Sequence, residues 1–425
     1  MKREDWEAFF STDSFNKTAQ TLYGPEKDKA QERYTALLQL FDDTFGEGGD
    51  IALFSAPGRT EIGGNHTDHQ HGRVLAASVN MDSIAAVRVT GDGWIRIKSE
   101  GYPKCEISLD SCEPAEEEKN TTASLIRGVA AAFIQRGCVI SGFEAAVTSS
   151  VLPGSGISSS AAFEVLVGHI INHLFYEKKA SAVEIAQIGQ YAENVFFGKP
   201  SGLMDQTASS VGNLLTIDFN DPKNPIVHKL DVDFAACGLA LCIIDSGADH
   251  ADLTDEYAAI PIELKKLCAC FGKDVLRDIP EEDFMEKIPE LRKAAGDRAV
   301  LRAFHFYADN ARVPEQAKAL ESGNTDEFLR LVNESGRSSW MYLQNIVPCG
   351  SKEHQEMAVT LAVCEKLLGG RGACRVHGGG FAGTVQAFVP VDMLDDFRSS
   401  VEKTLGSGCC HVLAIRPEGG VRIGE

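Results

Sequence analysis

The run Leu152-Pro153-Gly154-Ser155-Gly156-Ile157-Ser158-Ser159-Ser160-Ala161-Ala162 constrains this chain most. A glycine- and serine-rich loop leads straight into an apolar segment of helical period, carried by Phe163, Leu166, Val167, Ile170, Ile171, Leu174 and Phe175. Glycines let backbone N–H groups converge on an anion, and a helix start adds the positive end of its dipole. The pattern therefore predicts a loop feeding a buried helix, with phosphate as the fitting ligand. An ordinary strand-to-helix turn with serine caps is the alternative. Three consecutive serines followed by two alanines favour the anion site. No Gly-Lys-Ser/Thr follows the glycines, so this is not a P-loop.

A length of 425 residues suggests two domains or more, with room for a sizeable core. The formal charge of −20 argues against non-specific nucleic-acid binding and against an acidic membrane surface. An anionic substrate would then need a local cluster of Arg, Lys, metal ion or backbone amides. The cysteines are scattered; Cys268-Ala269-Cys270 and Cys409-Cys410 are too close for a zinc knuckle. The start, Met1-Lys2-Arg3-Glu4-Asp5, is too charged for a signal peptide, and no apolar run reaches transmembrane length. These features predict a cytoplasmic protein with free, mostly buried thiols. Nothing sets an oligomeric state; a monomer is the expectation.

Residues 1–48 read as a polar helical lead-in, 49–220 as a first domain and 221–425 as a second. Ile51–Ser55 reads as a short strand followed by a polar loop from Pro57 to Gly72. Ser83–Thr90 and Trp94–Ser99 read as a hairpin around Gly91-Asp92-Gly93. Thr122 can cap a helix running to Arg136. Phe143–Val151 reads as a strand, and Val183 to Phe197 as a helix. Leu214–Phe219 and Leu239–Asp245 read as strands on either side of the turn-rich segment Asn220–Pro225, the expected domain boundary. Helices are expected over 253–345 and 353–368, with late strands near Cys374–His377, Thr384–Val389 and His411–Arg416. Hairpins mixed with crossovers favour an α+β fold over a doubly wound parallel sheet.

Three further clusters carry chemistry. Ala56-Pro57-Gly58-Arg59-Thr60-Glu61-Ile62-Gly63-Gly64-Asn65-His66-Thr67-Asp68-His69 is dense in groups that can grip a small polar molecule. Arg59 offers a fork of donors, while Asn65, His66 and Asp68 mix donors and acceptors as sugar hydroxyls require. A solvated turn-rich loop is the plainer reading; the intervening glycines and Asp68 weigh against a metal site at His66, His69 and His71. Next comes Gly202-Leu203-Met204-Asp205-Gln206. Asp205 could take a proton from an alcohol, although taken alone it reads more readily as a cap for the next helix. Glu193, upstream, is either a solvated helix glutamate or, with Ser160, an oxygen ligand pair for Mg²⁺. Last, Val376-His377-Gly378-Gly379-Gly380-Phe381-Ala382-Gly383 implies close backbone approach to a ligand or to another loop. His377 reads as a structural turn histidine, and His305 and His354 as packing or surface residues.

These blocks, in this order, resemble the GHMP small-molecule kinases and within them the galactokinases. The resemblance spans roughly residues 51–390. It implies a two-domain α+β fold, with a ribosomal S5 domain 2-like N-terminal domain and a ferredoxin-like C-terminal GHMP domain. It also implies ATP-dependent phosphorylation of a sugar's anomeric hydroxyl. By this resemblance Gly154, Ser155, Gly156, Ile157, Ser158, Ser159 and Ser160 cradle the ATP phosphates, and Ser160 and Glu193 bind Mg²⁺. Asp205 is matched to the base and Arg59 to the arginine that stabilises the transferring phosphoryl group. Asn65, His66, Asp68, Gly202 and Tyr257 fall where family members contact the sugar. The implied partners are ATP and a sugar, with no nucleic acid and no membrane.

Galactokinases usually read Gly-Arg-x-Asn-Leu-Ile-Gly-Glu-His-x-Asp-Tyr. This chain has Glu61 for that Asn, Gly63 for that Ile, Asn65 for that Glu and His69 for that Tyr. The change at 65 removes a negative charge near the expected place of the sugar's C6 group. Galactose is the expected substrate. Galacturonate, whose own carboxylate would no longer be repelled, is a rival, as is arabinose. A sugar- and ATP-sensing regulator without catalysis is the alternative from another class.

Overall fold

Two sheets carry the molecule, which the computed structural model describes over residues 1–151, 156–199, 201–234, 236–248 and 253–425. The first sheet contains β1 (Ala52–Gly63), β2 (Arg73–Val89), β3 (Trp94–Ser99), β4 (Cys105–Ser108), β5 (Phe143–Ser149), β6 (Leu214–Asp218), β7 (Ile226–Leu230) and β12 (Val421–Arg422). Its order is β12-β1-β2-β5-β3-β4, with β6 also paired to β2 and β7 to β6. The second contains β8 (Leu239–Asp245), β9 (Ala373–His377), β10 (Thr384–Pro390) and β11 (Cys410–Leu413) in the antiparallel order β11-β8-β10-β9. The mixed α+β expectation holds. The 220–225 turn joins β6 to β7, which pair with each other, and β12 returns to β1. The first sheet thus takes strands from both sides of that turn.

The expected hairpin around Gly91-Asp92-Gly93 does not form. The turn is present, with Gly91 and Gly93 both at positive φ, but β5 lies between the two strands. Ala145 pairs antiparallel with Val87 of β2 and parallel with Ile97 of β3. The amides of Thr90 and Gly93 donate to the carbonyls of Gly142 and Ser141 at the start of β5, at 3.1 and 2.8 Å, so the turn arches over the inserted strand's end.

Alternation along β2 sends its side chains to two helical layers. Ile84 and Ala86 face α1 (Arg3–Phe9), α2 (Asp13–Tyr23) and α3 (Ala30–Phe45), whose Trp6, Phe10, Phe15, Tyr34, Leu37 and Phe41 form one buried cluster with them. The lead-in is therefore a structural layer with a buried aromatic core. Ala85 and Val87 face α4 (Thr122–Gln135), α5 (Ser159–Leu174) and α6 (Ala182–Tyr191). Thr121, one residue before the expected cap, accepts the Ser124 amide at the start of α4. The short α7 (Met204–Val211) packs on β1 and β2.

In the second half, α8 (Thr254–Ala269), α9 (Glu281–Glu286), α10 (Ile288–Ala294) and α11 (Asp297–Glu321) share a core around Leu264, Phe284 and Phe306. Val313 and Leu320 of α11 and Phe328 of α12 (Thr325–Ser338) join a cluster that includes Ile62 and Leu75 of the first sheet and Leu241 and Phe388 of the second. Apolar side chains from α13 (Glu356–Leu368) and α14 (Leu394–Leu405) cover the other face of the second sheet.

A buried polar hub ties the layers together. Asp82 of β2 accepts from Tyr23 at 2.8 Å, Ser55 at 2.5 Å, Arg33 at 2.7 Å and Arg416 at 3.3 Å. Burial acts to raise its carboxyl, but the Arg33 and Arg416 charges outweigh it and hold the pKa below the usual value. Among the described residues no helix is long and apolar enough to cross a membrane. The cysteines are free; Cys138, Cys242, Cys268, Cys364 and Cys410 are buried, whereas Cys270 and Cys349 are exposed.

Candidate active site

The segment expected as a polar loop from Pro57 is strand as far as Gly63, so Arg59 stands on β1. Its neighbours in register are Ser78, Ala77 and Ala76 of β2 opposite Arg59, Thr60 and Glu61. Pairing with the small residues of β2 draws this polar stretch into the sheet, which sequence polarity alone conceals. Gly58 is required by contact: a Cβ there would lie 2.5 Å from the Ile157 side chain. The Arg59 amide donates to the Ile157 carbonyl at 3.0 Å. Strand and serine turn are thereby locked together.

The Arg59 guanidinium is buried and forked. Its Nε donates to Asp205 Oδ1 at 2.6 Å, a second nitrogen pairs with Oδ2, and the third donates to the Gly156 carbonyl. Asp205 is not the cap of α7: Leu203 holds that position, and the carboxylate turns to Arg59. Burial acts to raise its pKa, but the Arg59 charge and hydrogen bonds from Arg59 and Ser158 outweigh this and keep it below the ordinary carboxylate value. Ser158, at φ +59°, is the N-cap of α5 yet makes no side-chain cap bond, which frees its hydroxyl for Asp205. Gly156 (φ +72°), Ile157, Ser158, Ser159 and Ser160 thus surround the start of α5; the predicted Gly154 and Ser155 lie outside the described residues.

Glu193 sits where α6 widens into a single π-helical turn, Ala192–Phe197. Such turns re-aim side chains and recur at functional sites. Its buried carboxylate takes the Ser160 hydroxyl at 3.4 Å and the Lys199 ammonium at 3.2 Å on Oε1, and the Gln206 amide at 2.9 Å on Oε2. Gln206 donates from the same nitrogen to Glu164 of α5 at 3.0 Å. Burial, then the Glu193 charge, pushes the Glu164 carboxyl well up. Sequence reading missed Glu164, Gln206 and Lys199. Glu164 follows Ser160 by four residues, one helical turn, and that spacing was the available signal. The hydroxyl and carboxylate of Ser160 and Glu193 are all-oxygen donors, the set that suits Mg²⁺, which takes one or two protein oxygens and fills its shell with phosphate and water.

The remaining predicted residues line an adjoining region. A Cβ on Gly202 would lie 2.0 Å from Asp68 Oδ2, so only glycine lets that carboxylate rest on this backbone. Asn65 is fully buried, and its side chain is engaged by protein: Nδ2 donates to Glu61 at 3.0 Å and to the Gly378 carbonyl at 2.8 Å, while Oδ1 accepts from Asn345 at 2.9 Å and Ser339 at 3.3 Å. Glu61 also pairs with the buried Arg375. Burial pushes the Glu61 carboxyl up to about 7 against the pull of Arg375. His66 Nε2 meets the Gly379 carbonyl at 3.0 Å, and burial drives its ring pKa down to about 3, so the ring is neutral. The Tyr257 hydroxyl donates to the Gly380 carbonyl at 2.8 Å. The late glycine turn therefore closely approaches the Asn65–His66 turn and Tyr257 of α8. His377 bridges Thr60 and Thr384, and His305 holds the Asn65 carbonyl at 2.9 Å; both act in packing.

Comparison with known proteins bears on this arrangement. Residues 124–213 match the GHMP kinases N terminal domain, and residues 39–89 match the galactokinase galactose-binding signature. The galactokinase of Actinobacillus pleuropneumoniae is 30% identical over 362 residues, covering 85% of this chain and 90% of that protein. The chain belongs to the galactokinase family of GHMP kinases. The Streptomyces coelicolor galactokinase is likewise 30% identical, over 82% of this chain and 87% of its own. The crystal structure of Lactococcus lactis galactokinase complexed with galactose superposes with a TM-score of 0.79 at 24% identity, over 92% of this chain and 99% of that one. Mevalonate kinase from Methanococcus jannaschii shares the fold more distantly, with a TM-score of 0.62 at 14% identity over 86% and 99% of the two chains. In this galactokinase-family chain the galactose-binding signature contains both Arg59 and the Asn65–Asp68 turn, and the GHMP segment contains the serine turn, Glu193 and Asp205.

Proposed function

We propose that this protein transfers the γ-phosphoryl group of ATP to the anomeric hydroxyl of galactose. The observation that carries the reading is the Arg59 fork, which binds Asp205 with two nitrogens and the Gly156 carbonyl with the third. An acid, a fixed cation and the phosphate turn thereby meet at one point. Phosphoryl transfer needs mainly positioning and charge stabilisation. The backbone from Gly154 to Ser160 receives the nucleotide's phosphates, Asp205 accepts the hydrogen bond of the C1 hydroxyl and then its proton as the new bond forms, and Arg59 faces the charge on the transferring group. Ser160 Oγ and Glu193 would hold Mg²⁺, which supplies charge neutralisation at the phosphate oxygens. Asp68, seated on Gly202, and His66 bind the sugar's other hydroxyls, while the buried, protein-engaged Asn65 side chain holds their turn in place rather than contacting the sugar and Tyr257 braces the glycine turn behind them.

The match to the galactokinase galactose-binding signature over residues 39–89 and the galactokinase relatives support galactose as the sugar. The carboxylate absent from position 65 stands at 61, 3.0 Å from the Asn65 amide, buried and paired with Arg375. The test is ADP release with galactose, galacturonate, N-acetylgalactosamine and arabinose at equal concentration. Galactose should give the highest rate. A preference for the uronate overturns the sugar assignment, and sugar binding without ADP release from any of the four overturns the kinase reading.

A further inference from the structure

Lys199 is a charged residue of this site that neither the motifs nor the proposed chemistry uses. Its Nζ lies 3.2 Å from Glu193 Oε1, the same oxygen that faces the Ser160 hydroxyl. The placement is built into the backbone. The amides of Gly198 and Lys199 both donate to the Glu193 carbonyl, at 3.0 and 3.1 Å, so the turn that carries the lysine is tied to the residue its side chain neutralises. Gly198 makes that turn at φ +90°. The two partners differ sharply in exposure: the Glu193 side chain is 4% exposed and the Lys199 side chain 60%. One is fixed; the other is a flexible stem with water on its far side. The reach of the charge extends further, since Lys199 is among the groups that favour ionised Asp205 and Glu164.

A divalent cation at Glu193 Oε1 would be repelled by the ammonium 3.2 Å from that oxygen, so the two charges compete for it. We propose that Lys199 holds the cation position of the nucleotide-free protein, neutralising Glu193 until a metal–nucleotide complex takes Glu193 Oε1 and Ser160 Oγ, and that its ammonium then turns to the nucleotide's phosphate oxygens. The inference rests on Ser160 and Glu193 as the metal ligands. A lysine suits the exchange: its ammonium is a compact point charge on four rotatable methylenes, with no planar fork to hold it in place. The device keeps a buried acidic cluster compensated before substrate arrives, and it makes metal binding depend on the nucleotide.

The experiment measures Mn²⁺ binding by calorimetry, with and without ADP, for the wild type, Lys199→Met, Lys199→Arg and Glu193→Gln, together with KM for ATP. Without ADP, Lys199→Met should bind Mn²⁺ about tenfold more tightly than the wild type, the effect of removing one competing unit charge. Its KM for ATP should rise about tenfold, and Lys199→Arg, which keeps the competing charge, should bind Mn²⁺ without ADP no more tightly than the wild type. Equal Mn²⁺ affinity in the wild type and Lys199→Met, with binding still lost in Glu193→Gln, overturns the placeholder and leaves the metal site standing. Undiminished Mn²⁺ binding in Glu193→Gln overturns the metal assignment and the placeholder with it.

Discussion

The Asn65 side-chain amide donates to the Glu61 carboxylate at 3.0 Å. The two positions at which this chain departs from the family's usual Asn and Glu are thus in direct contact, and amide and carboxylate have changed places. Arg375, from β9, pairs with Glu61 and also holds the Ile62 carbonyl at 2.9 Å. Placing a second acid at 65 should therefore cost about 3 kcal/mol through burial of like charges. The exchange Glu61→Asn with Asn65→Glu should recover part of that loss, with a coupling of about 1–3 kcal/mol. Urea melts of the four proteins measure it; strict additivity would show that the contact carries no energy.

The Arg59–Asp205 pair yields a kinetic prediction. Asp205→Asn keeps the shape and removes the charge, and should lower kcat about 10²–10⁴-fold. Arg59 then loses its partner, at a cost of about 2 kcal/mol; full burial would make this larger, but the Asp205 side chain is 28% exposed. Steady-state kinetics beside a thermal melt separate the two effects, and near-wild-type turnover in a folded Asp205→Asn protein removes Asp205 from its role.

Gly202→Ala tests the sugar side alone. The added methyl would stand 2.0 Å from Asp68 Oδ2, a separation no real contact reaches, so the carboxylate must move. KM for the sugar should rise by about tenfold or more, the loss of roughly one charged hydrogen bond, while KM for ATP stays near its original value. Equal increases in both would place Asp68 outside the sugar subsite.

Asp82 gives the pH dependence of stability. Its folded-state pKa is depressed, so its contribution is fully present above the unfolded carboxyl's pKa of about 3.9 and is lost as pH falls through the lower folded value. Asp82→Asn should lower the stability by about 3–5 kcal/mol at neutral pH, because Arg416 is left buried beside an uncharged partner. The gap between the two proteins should narrow as pH drops below about 4. Melting curves across pH 3–7 check this (a pH range set by the carboxyl's unfolded pKa of about 3.9), and a constant gap would mean that the charge of Asp82 contributes nothing.

Local pattern was enough for those parts of the chain whose neighbours in sequence are also their neighbours in space. Helix α5 and the serine turn before it, strand β8 at Leu239–Asp245, and the appearance of Asp205 just after a glycine turn all follow from periodicity and turn chemistry within a few residues. Partnership was not legible. Period-two alternation says which side chains of β2 share a face, but it carries no information on which strand lies beside it, so β5 entered unannounced between β2 and β3. The same limit applies in the site. Arg59 reads as a loop residue until β2 pairs with β1, and the contact of Glu61 with Asn65 and with Arg375, 314 positions away, exists only in the folded chain. Glu164, Gln206 and Lys199 are ordinary residues in sequence, and they become a single polar cluster around Glu193 because α5, α6 and α7 pack against one another. A chain encodes burial locally through the spacing of its apolar side chains. The pairing of charges is set by which surfaces meet, and that is a property of the packed whole.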